Sequence, residues 1–375
     1  MLRKWRVSIL LQAALLFASS RGFAGWGIDP DRVPEAPTDK TFPNYAVGSV
    51  EQIWGFVDKD VRNKDFTRMS LERISGISFD RRTQWPPQEK LPKGFSPAVW
   101  MEACKDPGLG VRDLHAKGIT GKGVAVAVID KPIRSDHKEF GDRMIYEAIG
   151  SDPRNHFHGL ACASIAAGST CGVAPGARIH YFATPASVNR AHYYALALNR
   201  LVEVNKELPE GKKIRVVSIS DGISMLSLGG LECLEAIKET EKEGIAVIYS
   251  DTAGLNFLWS GCPPSKDRND PNVYAVASYL KGKLKLTPYV LLPASYRTTA
   301  ENDGESNYRY WGEAGFSWAM PYLSGLAVLA WQIDPSLKYD EIRKMIIQTA
   351  TPIPDNCKVV NPKALLDKVM AAHRL

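Results

Sequence analysis

The sequence predicts an α/β domain built on a mostly parallel sheet with helices on both faces. Three observations carry that expectation. Apolar runs of strand length recur at 124–130, 178–182, 214–219, 245–249 and 273–278, and continuous rather than alternating apolar residues suit strands covered on both sides. Helical patterns at 189–205 and 230–243 lie between those runs, and three further helices are expected from Ser317 to the end of the chain. Strands alternating with helices make right-handed parallel crossovers. In such sheets ligands sit at the carboxyl ends of the strands. Asp130 ends the first run and is the first residue to examine.

The elements follow in order. Residues 1–24 open with Arg3, Lys4 and Arg6, continue through an apolar stretch at 8–18, and reach small residues at Gly22 and Ala24. The apolar stretch is shorter than the roughly 20 residues needed to span a bilayer, so 1–24 is expected to be an export signal cleaved after Ala24. Residues 25–95 form an N-terminal extension or propeptide, rich in Pro, Asp and Arg, with one short helix expected at 50–56. Within it, 85–94 carries Pro86, Pro87 and Pro92 and reads as a linker, since proline removes N–H donors and biases its neighbours away from helix. Residues 96–375 form the second unit, to which all the strand runs belong. The alternation in Lys281, Lys283 and Lys285 reads as a hairpin strand with a solvated lysine face.

Composition excludes several classes. The 375 residues are 45% hydrophobic and 23% charged, near the globular average. The formal charge of +6 owes four units to residues 1–24, which have no acidic side chain; without them 43 Lys and Arg face 41 Asp and Glu, a net of +2. That balance gives no reason to expect nucleic acid, or a membrane once the signal is removed. The expected location is secreted or periplasmic. Six cysteines in an exported chain leave disulfides open, while the absence of any C-x-x-C pair argues against zinc or redox motifs. Cys162, inside an apolar helical stretch, is expected to be a small buried hydrophobe.

Three islands carry the chemistry. The first runs from Gly121 to Asp130 and is followed by His137. The second is His158-Gly-Leu-Ala-Cys-Ala-Ser-Ile-Ala-Ala-Gly168, followed by 172–178. The third is Gly315-Phe-Ser-Trp-Ala-Met-Pro-Tyr-Leu-Ser-Gly325. In this order they resemble the subtilisin-like serine proteases, the subtilases, over roughly residues 105–350. The resemblance implies a three-layer α/β fold, a polypeptide substrate and a serine endopeptidase. It places Asp130, His158 and Ser317 as orienting acid, base and nucleophile. Each role has a physical reason. A serine hydroxyl needs a base to take its proton, and the imidazole needs a carboxylate to fix its tautomer and steady its charged form. Ser317 is expected to open a helix, whose free N–H groups favour a developing oxyanion. Gly325, with Ser324 and Ala327, allows close helix packing.

The sequence also departs from the family. Asp130 is followed by Lys131 and Pro132 where Thr or Ser and Gly are usual, and His158-Gly-Leu-Ala replaces His-Gly-Thr-His. The family's oxyanion Asn aligns with Thr252, preceded by Asp251. Losing such a donor costs about 10²–10³ in rate, the magnitude established on subtilisin itself. The oxyanion candidates are therefore the Thr252 hydroxyl and a protonated Asp251, with Thr252 preferred. Ser220, Asp221 and Gly222 resemble the strand that pairs with substrate backbone by strand addition. The extension at 25–95 occupies the place of a propeptide and is expected as an intramolecular inhibitor. No cofactor or catalytic metal is expected; the resemblance implies structural calcium, which nothing in the sequence locates. The alternative reading is a catalytically weak or silent member of the fold that serves in binding or regulation.

Overall fold

The computed structural model describes residues 55–254, 256–276, 289–354 and 356–373. The expected export signal, nearly all of the expected helix at 50–56 and the expected lysine hairpin at 281–286 lie outside the described residues.

A five-stranded parallel sheet forms the centre, with order β3-β4-β2-β5-β6. Its strands are β2 (Ala125–Asp130), β3 (Met144–Ala148), β4 (Arg178–Ala183), β5 (Ile214–Ile219) and β6 (Ala246–Tyr249). Strand β2 shows why its run is continuously apolar. Val126 and Val128 enter the larger core, with α4 (Phe157–Ala167) and α8 (Phe316–Ile333) on that side. Ala125, Ala127 and Ile129 enter a second core with α5 (Arg190–Glu207) and α6 (Gly230–Lys242) on the other. Strand alternation then turns Asp130 toward the α4 side. The chain leaves β2 toward β3 and β4 on one side and returns to β5 on the other, so the crevice at this switch point opens at Asp130.

Two smaller sheets flank this one. The first, β12-β13-β9-β7-β8, joins β7 (Phe257–Gly261), β8 (Ala275–Val276), β9 (Val290–Ser295), β12 (Thr351–Ile353) and β13 (Cys357–Val359). The fifth apolar run therefore does not extend the parallel sheet: Val273 lies in a 3₁₀ turn, and β8 pairs antiparallel with β7. The closing helices appear as expected, as α8, α9 (Tyr339–Thr349) and α10 (Pro362–His373). Close contact of α8 with α4 depends on Gly325, where a Cβ would stand 3.1 Å from Ala166 O and 2.6 Å from Cβ of Val173, in the loop after α4.

The third sheet corrects the expectation of a linker. Strand β1 (Phe79–Asp80) pairs antiparallel with β11 (Tyr308–Trp311), which pairs with β10 (Arg297–Ala300). Together with α1 (Leu71–Ser75), α2 (Pro97–Ala103) and α3 (Val111–Ala116), residues 55–116 lie against the main body. Trp85, at the head of the proline stretch, has its ring within 5.1–5.7 Å of the Phe56, Phe66, Phe79 and Phe95 rings. Phe79 also stacks on Tyr310 at 4.8 Å. The prolines punctuate a packed segment, and the expected boundary at 95/96 falls inside one aromatic cluster.

Candidate active site

Asp130 arrives at the site on the last residue of β2, and His158 on the second residue of α4. Asp130 is 4% exposed, and its Oδ2 accepts the His158 Nδ1–H at 2.7 Å. Gly159 makes this approach possible: a Cβ there would collide with the Tyr181 hydroxyl and stand 2.9 Å from Lys131 O. The other carboxylate oxygen accepts the Lys131 N–H at 2.8 Å and faces Lys131 Nζ at 3.9 Å. Residues 131 and 132 do not adopt positive φ, so Pro132 is tolerated where glycine is usual. Its carbonyl accepts the His156 N–H at 2.7 Å, and His156 Nδ1 in turn caps α4 through the His158 N–H at 3.2 Å.

Electrostatics follow from this packing. Burial disfavours the charged imidazole of His158, yet the Asp130 carboxylate outweighs it and raises the pKa above its ordinary value; Lys131 works against that rise. Burial likewise opposes ionisation of Asp130, but His158 and then Lys131 hold its carboxyl well below the usual range. His156 is held neutral, pushed down to about 3 by burial and then by Lys131.

Ser317 is the second residue of α8, whose first turn leaves N–H groups without helical partners. Its hydroxyl donates to Ser220 O at 3.3 Å rather than to the imidazole. The Ser317 carbonyl would normally accept from the N–H of residue 321, which is Pro321 and has none. The Ser220 hydroxyl takes that place, donating to Ser317 O at 2.8 Å. Ser220 thus lies behind the serine, and is the one expected substrate-edge residue brought against it.

The other two edge residues are engaged elsewhere. Asp221 binds Arg190 Nε at 2.5 Å, accepts from Tyr194 OH at 3.1 Å, and takes the Gly222 N–H at 2.8 Å. Asp251 Oδ2 accepts the Ile223 N–H at 2.6 Å, and burial followed by the Asp221 charge raises its pKa. One N–H of the expected substrate edge, that of Gly222, and the Ile223 N–H directly after it are therefore held by carboxylates of this chain. Thr252 lies in the short helix α7 (Ser250–Ala253) directly after β6; its side chain lies outside the described residues.

Two neighbours escaped the sequence reading. Cys162 is buried, but it is not simply a core hydrophobe: its Sγ lies 3.9 Å from His158 Nδ1, donates to Ser220 Oγ at 3.3 Å, and approaches Ser317 O at 3.7 Å. The signal was the four-residue spacing from His158, which puts both on one helix face. Trp318 sets its ring edge-on to the imidazole at 5.4 Å, and Trp311 meets Trp318 at 5.2 Å. All six cysteines are buried. Asp130, His158 and Cys162 each present one ligand atom within 4.8 Å of the others, a group able to hold a metal ion; there a metal would compete with the Asp130–His158 hydrogen bond. The glycine-flanked loop at 118–123 is no phosphate cradle, since the Thr120 and Gly121 N–H groups both donate to Gln332 Oε1. Among the described residues no helix is long and apolar enough to cross a membrane.

Known proteins share this fold. A protease from Pseudoalteromonas arctica is 17% identical, with a TM-score of 0.51 over 73% of this chain and 98% of that one, which shows the fold. A cold-adapted subtilisin-like serine proteinase is 16% identical with a TM-score of 0.47, covering 64% of this chain and 89% of that one. The prenylagaramide maturation protease PagA is 16% identical with a TM-score of 0.49, covering 69% and 98%. The sequence profile of the subtilase family, peptidase S8, matches residues 121–368. The match takes in Asp130, His158 and Ser317 and covers well over half the chain, which therefore belongs to the subtilase family.

Proposed function

We propose that this chain is an exported serine endopeptidase that hydrolyses peptide bonds through an acyl-enzyme formed on Ser317. The observation that carries the reading is the 2.7 Å bond between Asp130 Oδ2 and His158 Nδ1, beside a serine at a helix N-terminus. Asp130 fixes the tautomer that leaves Nε2 free as a base. For reaction the Ser317 hydroxyl turns from Ser220 O to that nitrogen; catalytic hydrogen bonds are often loose without substrate. His158 takes the proton as Ser317 attacks the carbonyl, then delivers it to the leaving amine. The Ser317 N–H supports the oxyanion, aided by the Thr252 hydroxyl or, at low pH, by protonated Asp251. Substrate backbone pairs near Ser220, Asp221 and Gly222 once the Asp221 and Asp251 carboxylates release the edge. The N-terminal extension at 25–95 acts as the intramolecular inhibitor, and its described part is held to the main body through contacts such as Phe79 on Tyr310.

A second reading, a catalytically silent member of the family, is favoured by that same occupied edge and by the serine hydroxyl facing away from the imidazole. Labelling with a fluorescent fluorophosphonate across pH 4–9, alongside Ser317→Ala, separates the two. Labelling lost in the variant supports the protease. A folded protein, freed of the segment before residue 55, that labels at no pH overturns it. An optimum well below neutral assigns the oxyanion to Asp251 rather than Thr252.

A further inference from the structure

Behind the His158-bearing helix, where the N-terminal segment meets the main body, two arginines are buried without a counter-ion among the described residues. Arg297, the first residue of β10, is fully buried. Its Nη2 donates to Cys171 O at 2.7 Å, but Nε and Nη1 have no partner. Arg268 is 7% exposed. Its Nε donates to Asp106 O at 3.1 Å, and its Nη1 reaches Tyr296 O at 3.1 Å, Cys262 O at 3.3 Å and Cys104 Sγ at 3.7 Å, while Nη2 has no partner. Tyr296 precedes Arg297, so the Arg268 guanidinium is held at the backbone next to Arg297. The Tyr322 ring lies 5.8 Å from the Arg297 guanidinium, and its fully buried hydroxyl is also unpartnered.

Three guanidinium N–H positions and one phenol hydroxyl are thus left unsatisfied in one buried neighbourhood. Leaving such groups dry is unfavourable, more so when they are charged, and a buried charge without a counter-charge adds to that cost. The nearby acids do not answer it. The Asp106 carboxylate accepts the Gly108 N–H at 2.8 Å and faces Arg112 at 3.9 Å. Glu139 is taken up by Thr170, the Cys171 N–H and Tyr308 OH. The Cys104 thiol is no substitute anion, because burial raises its pKa. Water would satisfy the N–H groups but not the charge.

We propose that a small monovalent anion, of which chloride is the probe, binds between Arg268 and Arg297 and accepts their free N–H groups and the Tyr322 hydroxyl. The site joins three parts of the molecule: the end of α2 through Cys104, the loop after α4 through Cys171, and the start of β10. The anion is a structural ligand that locks the N-terminal segment to the sheet, independent of the peptidase reaction.

The test uses the whole protein. Crystals soaked in bromide should give an anomalous peak between the two guanidiniums. In solution the thermal midpoint should stand about 2–4 °C higher in chloride than in gluconate at equal ionic strength, and Arg297→Met should remove that difference. The bromide measurement holds even if Arg297→Met fails to fold. No anomalous peak at this position overturns the site, as does a midpoint that follows ionic strength but not the identity of the anion.

Discussion

At the carboxyl end of the parallel sheet, the buried charge of Asp130 is answered by an imidazole, a backbone N–H and an ammonium. At the seam with the N-terminal segment, the buried charge of Arg297 is answered by one carbonyl. The first region holds its charges on rigid elements, a strand end and a helix start, and keeps His158 partly open to solvent. The second surrounds its charges with aromatic rings and thiols. The difference teaches that burial alone does not mark a working site. A working site pairs a buried charge with a group whose protonation can change and which substrate can reach; a seam needs only neutralisation.

The comparison breaks most sharply at Asp130. Asp130→Asn should lower kcat by about 10⁴ in protein that still folds, as steady-state kinetics and calorimetry would record. At the seam the opposite pattern is expected. Phe79→Ala removes a ring that touches Trp85, Phe95 and Tyr310 and should cost about 3–5 kcal/mol, read by denaturant titration, with fluorophosphonate labelling per folded molecule intact. If Phe79→Ala abolished labelling in folded protein, the two regions would be coupled.

Smaller effects sharpen the account of the serine. Ser220→Ala leaves the Ser317 carbonyl with only the weak Cys162 thiol donor, a loss of about 1–3 kcal/mol and roughly tenfold in kcat. Adding Pro321→Ala to that variant supplies the missing helical N–H and should recover part of the rate; a further fall would show that Pro321 acts otherwise. Lys131→Met removes a cation that lowers the pKa of His158. The acid limb of kcat/KM, which requires neutral His158, should therefore move to higher pH, and a downward move would reverse the assigned sign.

Stability against pH gives the least local test. His115, His137, His156 and His180 have pKa values lowered chiefly by burial, to about 3 for His156 and about 4 for His180. Below the unfolded value of about 6.5 the unfolded chain binds protons that these groups refuse, so stability falls as pH drops from 6.5 toward 4. His158 has the opposite sign: its raised pKa contributes stability that is fully present below 6.5 and is lost as pH rises through the folded value. The thermal midpoint should therefore peak near pH 6.5, and a midpoint that climbs steadily into alkali would contradict the His158 assignment.

The sequence by itself determined the parallel sheet, because the runs at β2, β4, β5 and β6 are apolar on both faces and need no partner's identity to be read. It also determined the two crossover helices and the three closing ones, whose period is local. Asp130 and His158 were legible because each sits at the end of a strongly patterned element, and the family resemblance supplied their pairing. Only the tertiary structure decided the rest. Strand β3 is largely exposed, and the strands of the two smaller sheets, though mostly buried, run only two to six residues, too short for a pattern that distinguishes them from loops. The proline stretch read as a linker because its burial comes from aromatic residues up to thirty positions away. Cys162 became part of the site through its distance to Ser220 and Ser317, more than fifty residues off in sequence. The unanswered charge of Arg268 and Arg297 is visible only once the fold has removed them from water, since an arginine in a sequence carries no record of whether a carboxylate will reach it.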